Sequence, residues 1–401
     1  MTRAGVYIKQ PGSFRAFVPA SLPPEPPLAL NLEMGRLISD ADRALGRLDG
    51  VASVLPNPDL FVAMYVRQEA VLSSQIEGTQ STLEDVLRFE VDSHGRDLPK
   101  DVEEVVNYVR AMNSGLQRLQ DLPLSLRLLR EIHATLLEGV RGSDREPGEF
   151  RKTQNWIGPP GCTLATATFV PPPVDEMNGA LGNLEQFLHD DRLPLLVHCG
   201  IAHAQFETIH PFLDGNGRVG RLLIPFLLCQ RGVLRRPLLY LSHYFKARRA
   251  EYYDRLQAIR DDGNWEAWLK FFLKGVHEVS RQASDTARAI LNLREEHREL
   301  IARLLGGSVA ALRLLDMLFE RPLLTVKMAE AHLGCSYVTA NTLVEKLAAI
   351  GVLQEVTGFK RNRRFRYEPY LELFEWGDRP PGQADTDSRP GGATRSGEAG
   401  A

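Results

Sequence analysis

The sequence predicts a mainly α fold: a helical core interrupted by one β-hairpin, then a small α+β unit. Three observations carry this. Apolar residues recur at helical spacing through most of the chain from Asn31 onward. Residues 151–173 break that period with short β-prone runs around a Pro/Gly turn. Residues 309–367 read as helix, short helix, Gly turn and helix, followed by two strand-like runs.

The bounds are ordinary. At 401 residues the chain has room for two or three domains, and 43% hydrophobic with 25% charged residues is the balance of a soluble globular protein. A net charge of -3 gives no global drive toward nucleic acid or anionic membrane, so any such contact must be local. Cys162, Cys199, Cys229 and Cys335 are scattered, with no C-x-x-C pair to suggest zinc or a redox dithiol. Neither a signal peptide nor a membrane span is expected, and the cytoplasm is the expected location.

Residues 1–30 are proline-rich, with Phe14, Phe17 and Val18 before Pro19, and read as an extended arm packed on the domain. Asn31 can cap a helix through Leu32, Met34, Leu37, Ile38, Ala41, Leu45 and Leu48, closed at Gly50. Asn57-Pro58 opens a second helix, through Phe61, Met64, Tyr65, Val71 and Ile76 to Glu77-Gly78. Ser81 and Glu84 form a capping box for a third. Glu77 is oddly placed, because the helix macrodipole disfavours an acid in the last turn by about 0.3–1 kcal/mol. A cationic partner would turn that cost into a switch.

Residues 102–119 and 126–137 are amphipathic helices, the second holding His133, read as structural, and 139–150 is a loop. Residues 195–208 and 219–228 read as buried helices. Between them stands Ile209-His210-Pro211-Phe212-Leu213-Asp214-Gly215-Asn216-Gly217-Arg218-Val219-Gly220-Arg221. The two glycines tolerate positive φ, so backbone N–H groups can converge into an anion-binding nest at a helix start. Arg218 and Arg221 are three apart on one helix face and can reach the same phosphate chain. Asp214 offers hard oxygen suited to Mg²⁺ bridging phosphates, and His210 is the natural general base.

This segment resembles the Fic family signature, His-Pro-Phe-x-Asp/Glu-Gly-Asn-Gly-Arg-x-x-Arg, at every position. The resemblance implies transfer of AMP from ATP to protein hydroxyls, with Mg²⁺ as cofactor. It implies that His210 deprotonates the target hydroxyl, that Asp214 holds Mg²⁺ and that Phe212 anchors the loop. Residues Gly215, Asn216, Gly217, Arg218, Val219, Gly220 and Arg221 would form the ATP phosphate site. The related Doc kinases carry Lys at the position of Gly217, so Gly217 favours nucleotidyl over phosphoryl transfer. Ser73-Ser74-Gln75-Ile76-Glu77-Gly78 resembles the family's inhibitory motif, Ser/Thr-x-x-x-Glu-Gly/Asn, in which the glutamate pairs with the second motif arginine, here Arg221. Ser73, Glu77 and Gly78 are then the inhibitory residues, on a helix preceding the core. The 151–173 hairpin resembles the Fic flap that registers the target by strand-like pairing. Tyr252-Tyr253 resembles the family's tyrosine pair, which puts Tyr253 near the nucleotide base.

Trp265, Trp268, Phe271 and Phe272 read as a core stripe, and residues 283–305 as a long charged helix linking two domains. The helix, Gly334 turn, helix and two strands beyond it resemble a winged helix. Lys360, Arg361, Arg363, Arg364 and Arg366 gather positive charge in the wing, as DNA phosphate contacts would, although Lys346 is the only basic residue of the presumed recognition helix. The organisation expected is an N-terminal arm and helix (1–50), an inhibitory-helix region (51–100), a Fic-type core (101–282), a helical linker (283–307), a winged helix (308–376) and a disordered tail (377–401). Expected partners are ATP and Ser, Thr or Tyr hydroxyls of proteins including the chain itself, with DNA and a second copy of the chain as further candidates. Two other functions fit the same residues: a DNA-binding regulator that senses nucleotide, and a hydrolase that removes AMP with Glu77 as base.

Overall fold

The computed structural model describes residues 2–12, 14–53, 58–92, 98–359 and 362–374. The N-terminus is a hairpin of β1 (Gly5–Lys9) and β2 (Arg15–Pro19), antiparallel with Tyr7 opposite Phe17. The expected extended arm is therefore corrected. Pro11 and Pro19 lie in the turn and at the strand end, where a missing N–H costs no ladder bond. The Phe17 N–H donates to Val170 O at 2.9 Å, which ties the hairpin to the end of the 151–173 segment.

Helices follow: α1 (Leu32–Ser53), α2 (Pro58–Ile76), α3 (Leu83–Val91), α4 (Val102–Arg118), α5 (Leu126–Leu136), α6 (Val174–Leu188), α7 (Leu195–Ile209) and α8 (Asn216–Gln230). The capping box of α3 sits one residue later than expected. Thr82 is the N-cap, and Asp85 closes the box back onto the Thr82 N–H. Between α5 and α6, the 151–173 segment forms a single antiparallel bridge, Ile157 with Phe169, rather than a hairpin of regular strands. Its Pro159-Pro160 and Pro171-Pro172-Pro173 withhold the donors that longer strands need.

Then come α9 (Ser242–Ala247), α10 (Arg249–Asp262) and α11 (Trp265–Leu304). One uninterrupted helix of 40 residues thus spans the expected boundary at 282, with Ala283, Ala287 and Ile290 buried beyond it. The C-terminal unit is α12 (Val309–Glu320), β3 (Leu323–Thr325), α13 (Val326–Leu333), α14 (Tyr337–Ala349), β4 (Gln354–Glu355), β5 (Arg364–Arg366) and the short α15 (Glu368–Leu371). Its sheet is antiparallel in the order β3-β5-β4. Asn57, Lys360, Arg361 and the 377–401 tail lie outside the described residues.

The core is one apolar cluster that runs from the N-terminal hairpin to Phe374. At its centre α7 and α8 are buried almost all round, as their near-continuous apolar sequences require. They flank the 210–215 loop, and α8 packs against α4, α5 and α2. Among the described residues, no helix is long and apolar enough to cross a membrane.

Candidate active site

α7 ends at His210, whose backbone is left-handed (φ 49°, ψ 60°). A non-glycine residue there costs about 1–3 kcal/mol and persists only where neighbours over-determine it. Here they do. Arg151 Nε and Asn155 Nδ2 donate to His210 O at 3.0 and 3.1 Å, and the Arg151 N–H donates to Pro211 O at 2.9 Å. Asn155 Nδ2 also donates to Phe212 O at 2.8 Å. Phe212 is buried and stacked on His133, with centroids 3.7 Å apart and planes at 8°. The Gly148 N–H donates to His133 Nδ1 at 2.8 Å, so Nε2 carries the ring proton and donates to Asp214 O at 3.0 Å. Burial pushes the His133 pKa down to about 4, keeping it the neutral brace of the loop.

The His210 ring offers a different chemistry. Its Nδ1 is buried with no hydrogen-bond partner. Burial first, then the Arg260 and Arg151 charges, push its pKa down to about 3, so the ring is neutral.

Gly215, at φ 75°, opens α8 with no side-chain cap, leaving first-turn N–H groups to an incoming anion. Gly217 is helical rather than left-handed, and what it supplies is room: a Cβ there would lie 2.3 Å from Glu77 Oε1. The Asn216 side chain clips the loop, accepting from the Phe212 N–H and donating to Phe212 O, both at 2.8 Å. Val219 packs in the core, while Gly220 lies against Glu207, its carbonyl hydrogen-bonded to His203 Nδ1 at 2.8 Å.

The charged groups converge as the spacing requires. Arg218, 1% exposed, reaches Glu104 Oε2 at 3.3 Å and Asp214 Oδ1 at 3.6 Å, while its Nε and Nη2 have no hydrogen-bond acceptor. Buried guanidinium donors without acceptors suit an anionic ligand. Asp214 is 37% exposed and accepts from the Gly215 N–H at 2.6 Å. The described residues hold no group of three or more His, Cys, Asp or Glu side chains that could bind a metal. A hard cation at Asp214 would complete its shell with phosphate oxygens and water, which fits an ion arriving with a nucleotide.

Arg221 Nη2 meets Glu77 Oε1 at 2.7 Å and Ser73 O at 3.0 Å, and its Nε donates to Ser73 Oγ at 2.8 Å. Arg249 Nε donates to Ile76 O at 3.2 Å. Two cations therefore serve the C-terminal turn of α2, offsetting its dipole and the acid placed there. Against burial, Arg221 holds the Glu77 carboxyl below its usual range, and Glu77 holds Arg221 above its own. Gly78, at φ 99°, turns the chain away after Glu77.

Residues the sequence did not single out complete the site. Arg151 and Asn155 lie some sixty positions before the loop they hold, with no local signature. Glu69 and Glu207 are buried near Arg221, and burial raises both to about 7. Glu69 accepts from Ser242 Oγ at 2.5 Å and Tyr108 OH at 3.2 Å. Tyr253 is 37% exposed beside buried Tyr252, with the Arg249 guanidinium 5.2 Å from its ring centre. The arginines of the C-terminal unit each meet an acid of the same chain: Arg363 with Glu345 at 2.8 Å, Arg364 with Asp92 at 2.9 Å and Arg366 with Glu84 at 3.1 Å.

Two family models match: Fic/DOC family N-terminal over residues 35–117 and Fic/DOC family over residues 123–228. Over 196 residues the chain is 29% identical to a protein adenylyltransferase Fic of Drosophila grimshawi, covering 48% of this chain and 36% of that protein. Against the corresponding Aedes aegypti protein it is 27% identical over 237 residues, 58% of this chain and 42% of that one. The chain thus spans less than half the length of these curated relatives. A Fic family protein from Desulfovibrio desulfuricans shares the fold at a TM-score of 0.56 and 22% identity, over 86% of this chain and 98% of that one. Residues 35–117 and 123–228 thus carry the Fic/DOC family N-terminal and Fic/DOC family regions, matched in order around the complete motif.

Proposed function

We propose that the chain is a protein adenylyltransferase that moves AMP from Mg²⁺-ATP to Ser, Thr or Tyr hydroxyls of proteins, itself included, and is held off by Glu77. The observation that carries this is the 2.7 Å Glu77–Arg221 pair beside a buried, neutral His210. His210 takes the hydroxyl proton, the oxygen bonds to the α-phosphorus, the bond to the bridging oxygen breaks, and pyrophosphate leaves. The α8 N-terminus, Arg218 and Arg221 receive the phosphate charge, so the chain acts mainly by positioning and charge stabilisation. A magnesium ion at Asp214 would neutralise charge on the phosphates. Tyr253 offers its half-exposed ring to the base. The exposed edge of the 151–173 segment offers the target a backbone to pair with.

While Glu77 occupies Arg221, that guanidinium is withheld from the polyphosphate, and the reaction waits on displacement of the α2 end. Intact-mass measurement after incubation with ATP and UTP tests the reading. A gain of one AMP that disappears in His210→Ala supports it. Equal labelling of wild type and His210→Ala contradicts it.

A further inference from the structure

The C-terminal unit touches the helix that carries the inhibitory glutamate. Phe374, just after α15, packs edge-on against Tyr65 of α2, with ring centroids 5.3 Å apart. β5 faces α3, where Arg364 Nη2 meets Asp92 Oδ2 at 2.9 Å and Arg366 Nη1 meets Glu84 Oε2 at 3.1 Å. Arg366 also holds Glu368 at 3.0 Å. α3 is in turn tied to α2 by Arg67 Nε and Glu90 Oε1 at 2.8 Å. Only residues 77–82 separate the end of α2 from the start of α3, and they are held by Asp101, which accepts from the Gln80 N–H at 2.6 Å and Ser81 Oγ at 2.5 Å.

The two helix ends are built alike. α2 is followed by Glu77, and α3 by its C-cap Asp92. Both acids sit where the helix dipole repels them, and each is met by an arginine from distant sequence: Arg221 for one, Arg364 for the other. Losing the arginine at either end removes one of the groups that offset the acid there and weakens the hold on that turn. Through the short 77–82 connector, loosening α3 changes where Glu77 can sit.

We propose that Arg364 and Arg366 are positioning residues for Glu77. By clamping α3 to the C-terminal unit they hold α2 in the register that seats Glu77 on Arg221. The C-terminal unit is then part of the inhibitory apparatus, and whatever displaces β5 from α3 raises activity. This rests on the adenylyltransferase reading above, and the test separates the two.

The full chain is assayed for AMP incorporation as wild type, Arg364→Glu, Asp92→Arg, the double swap and Glu77→Gly. Hydrogen exchange is followed over residues 70–78 in each. Arg364→Glu is expected to raise the rate about threefold to tenfold, the range a partly exposed ion pair made repulsive can supply. The double swap restores the wild-type rate, because the pair re-forms with its charges exchanged. In a Glu77→Gly background Arg364→Glu adds nothing further, an outcome general loosening of the fold would not produce. Exchange over residues 70–78 rises in Arg364→Glu and returns in the double swap.

The proposal is overturned if Glu77→Gly raises the rate while Arg364→Glu leaves it unchanged, or if the two effects multiply. Should no variant incorporate AMP, the adenylyltransferase reading fails instead. Exchange over residues 70–78 still decides the clamp in that case, since unchanged exchange in Arg364→Glu contradicts it.

Discussion

Two sets of arginines differ less in their partners than in their surroundings. Arg218 and Arg221 hold carboxylates at 3.3 and 2.7 Å, and Arg363, Arg364 and Arg366 hold theirs at 2.8, 2.9 and 3.1 Å. Distance does not separate the sets. The motif side chains are 1–2% exposed, whereas the C-terminal side chains are 20–28% exposed. In the buried set each donor must be met by an acid or a ligand, so exchanging Glu77 for phosphate is a discrete event. In the C-terminal unit, water stands ready to replace any lost partner, so those pairs adjust position without deciding whether the fold exists.

The largest expected effect falls on the buried side of that contrast. His210→Ala should lower AMP incorporation about 10²- to 10⁴-fold, the usual contribution of a general base. A loss below tenfold, measured by transfer of labelled AMP, would remove the histidine from the chemistry. Next comes Arg221→Met, expected to cost about 3–5 kcal/mol of stability in urea unfolding, because it strands buried acids around the vacated site. By contrast Arg363→Ala should cost about 1 kcal/mol or less. Equal losses in the two variants would break the comparison.

A pH experiment sharpens it further. Burial lifts the Glu207 carboxyl from 4.5 to about 7 in the folded chain. The folded state therefore keeps a proton that the unfolded chain has lost. The stability this contributes is complete below pH 4.5 and is lost as pH rises through about 7. Glu207→Gln should accordingly be more stabilising at pH 8 than at pH 4.5, by about 1–3 kcal/mol. A difference independent of pH would place Glu207 in contact with water.

The sequence made the helices around the motif legible because α7 and α8 are apolar on nearly every face and the loop between them is rich in glycine and charge. It made Glu77 legible through a conflict, an acid at a helix end, which the structure resolves with Arg221. The N-terminal hairpin was hidden by its prolines, which bound the strands instead of interrupting them. The 151–173 segment misled the other way, since its β-prone residues form one bridge rather than regular strands. Arg151, Asn155 and Glu207 act on backbone or charge that only folding brings near, so no local pattern announces them. Gly217 was read for its backbone freedom, yet its role is the space it leaves for a carboxylate. The wing arginines suggested a phosphate surface because their partners, Asp92 and Glu84, lie more than two hundred residues away in sequence.

The central claim is that Glu77 holds the site closed by occupying Arg221. The rate of AMP incorporation by Glu77→Gly relative to wild type, in the full chain with Mg²⁺-ATP, tests it most directly. Release of the buried arginine predicts a rise of about tenfold or more, since the pair it breaks is worth more than about 1.4 kcal/mol. A rate equal to or below wild type, with His210 intact and the variant folded, would contradict it.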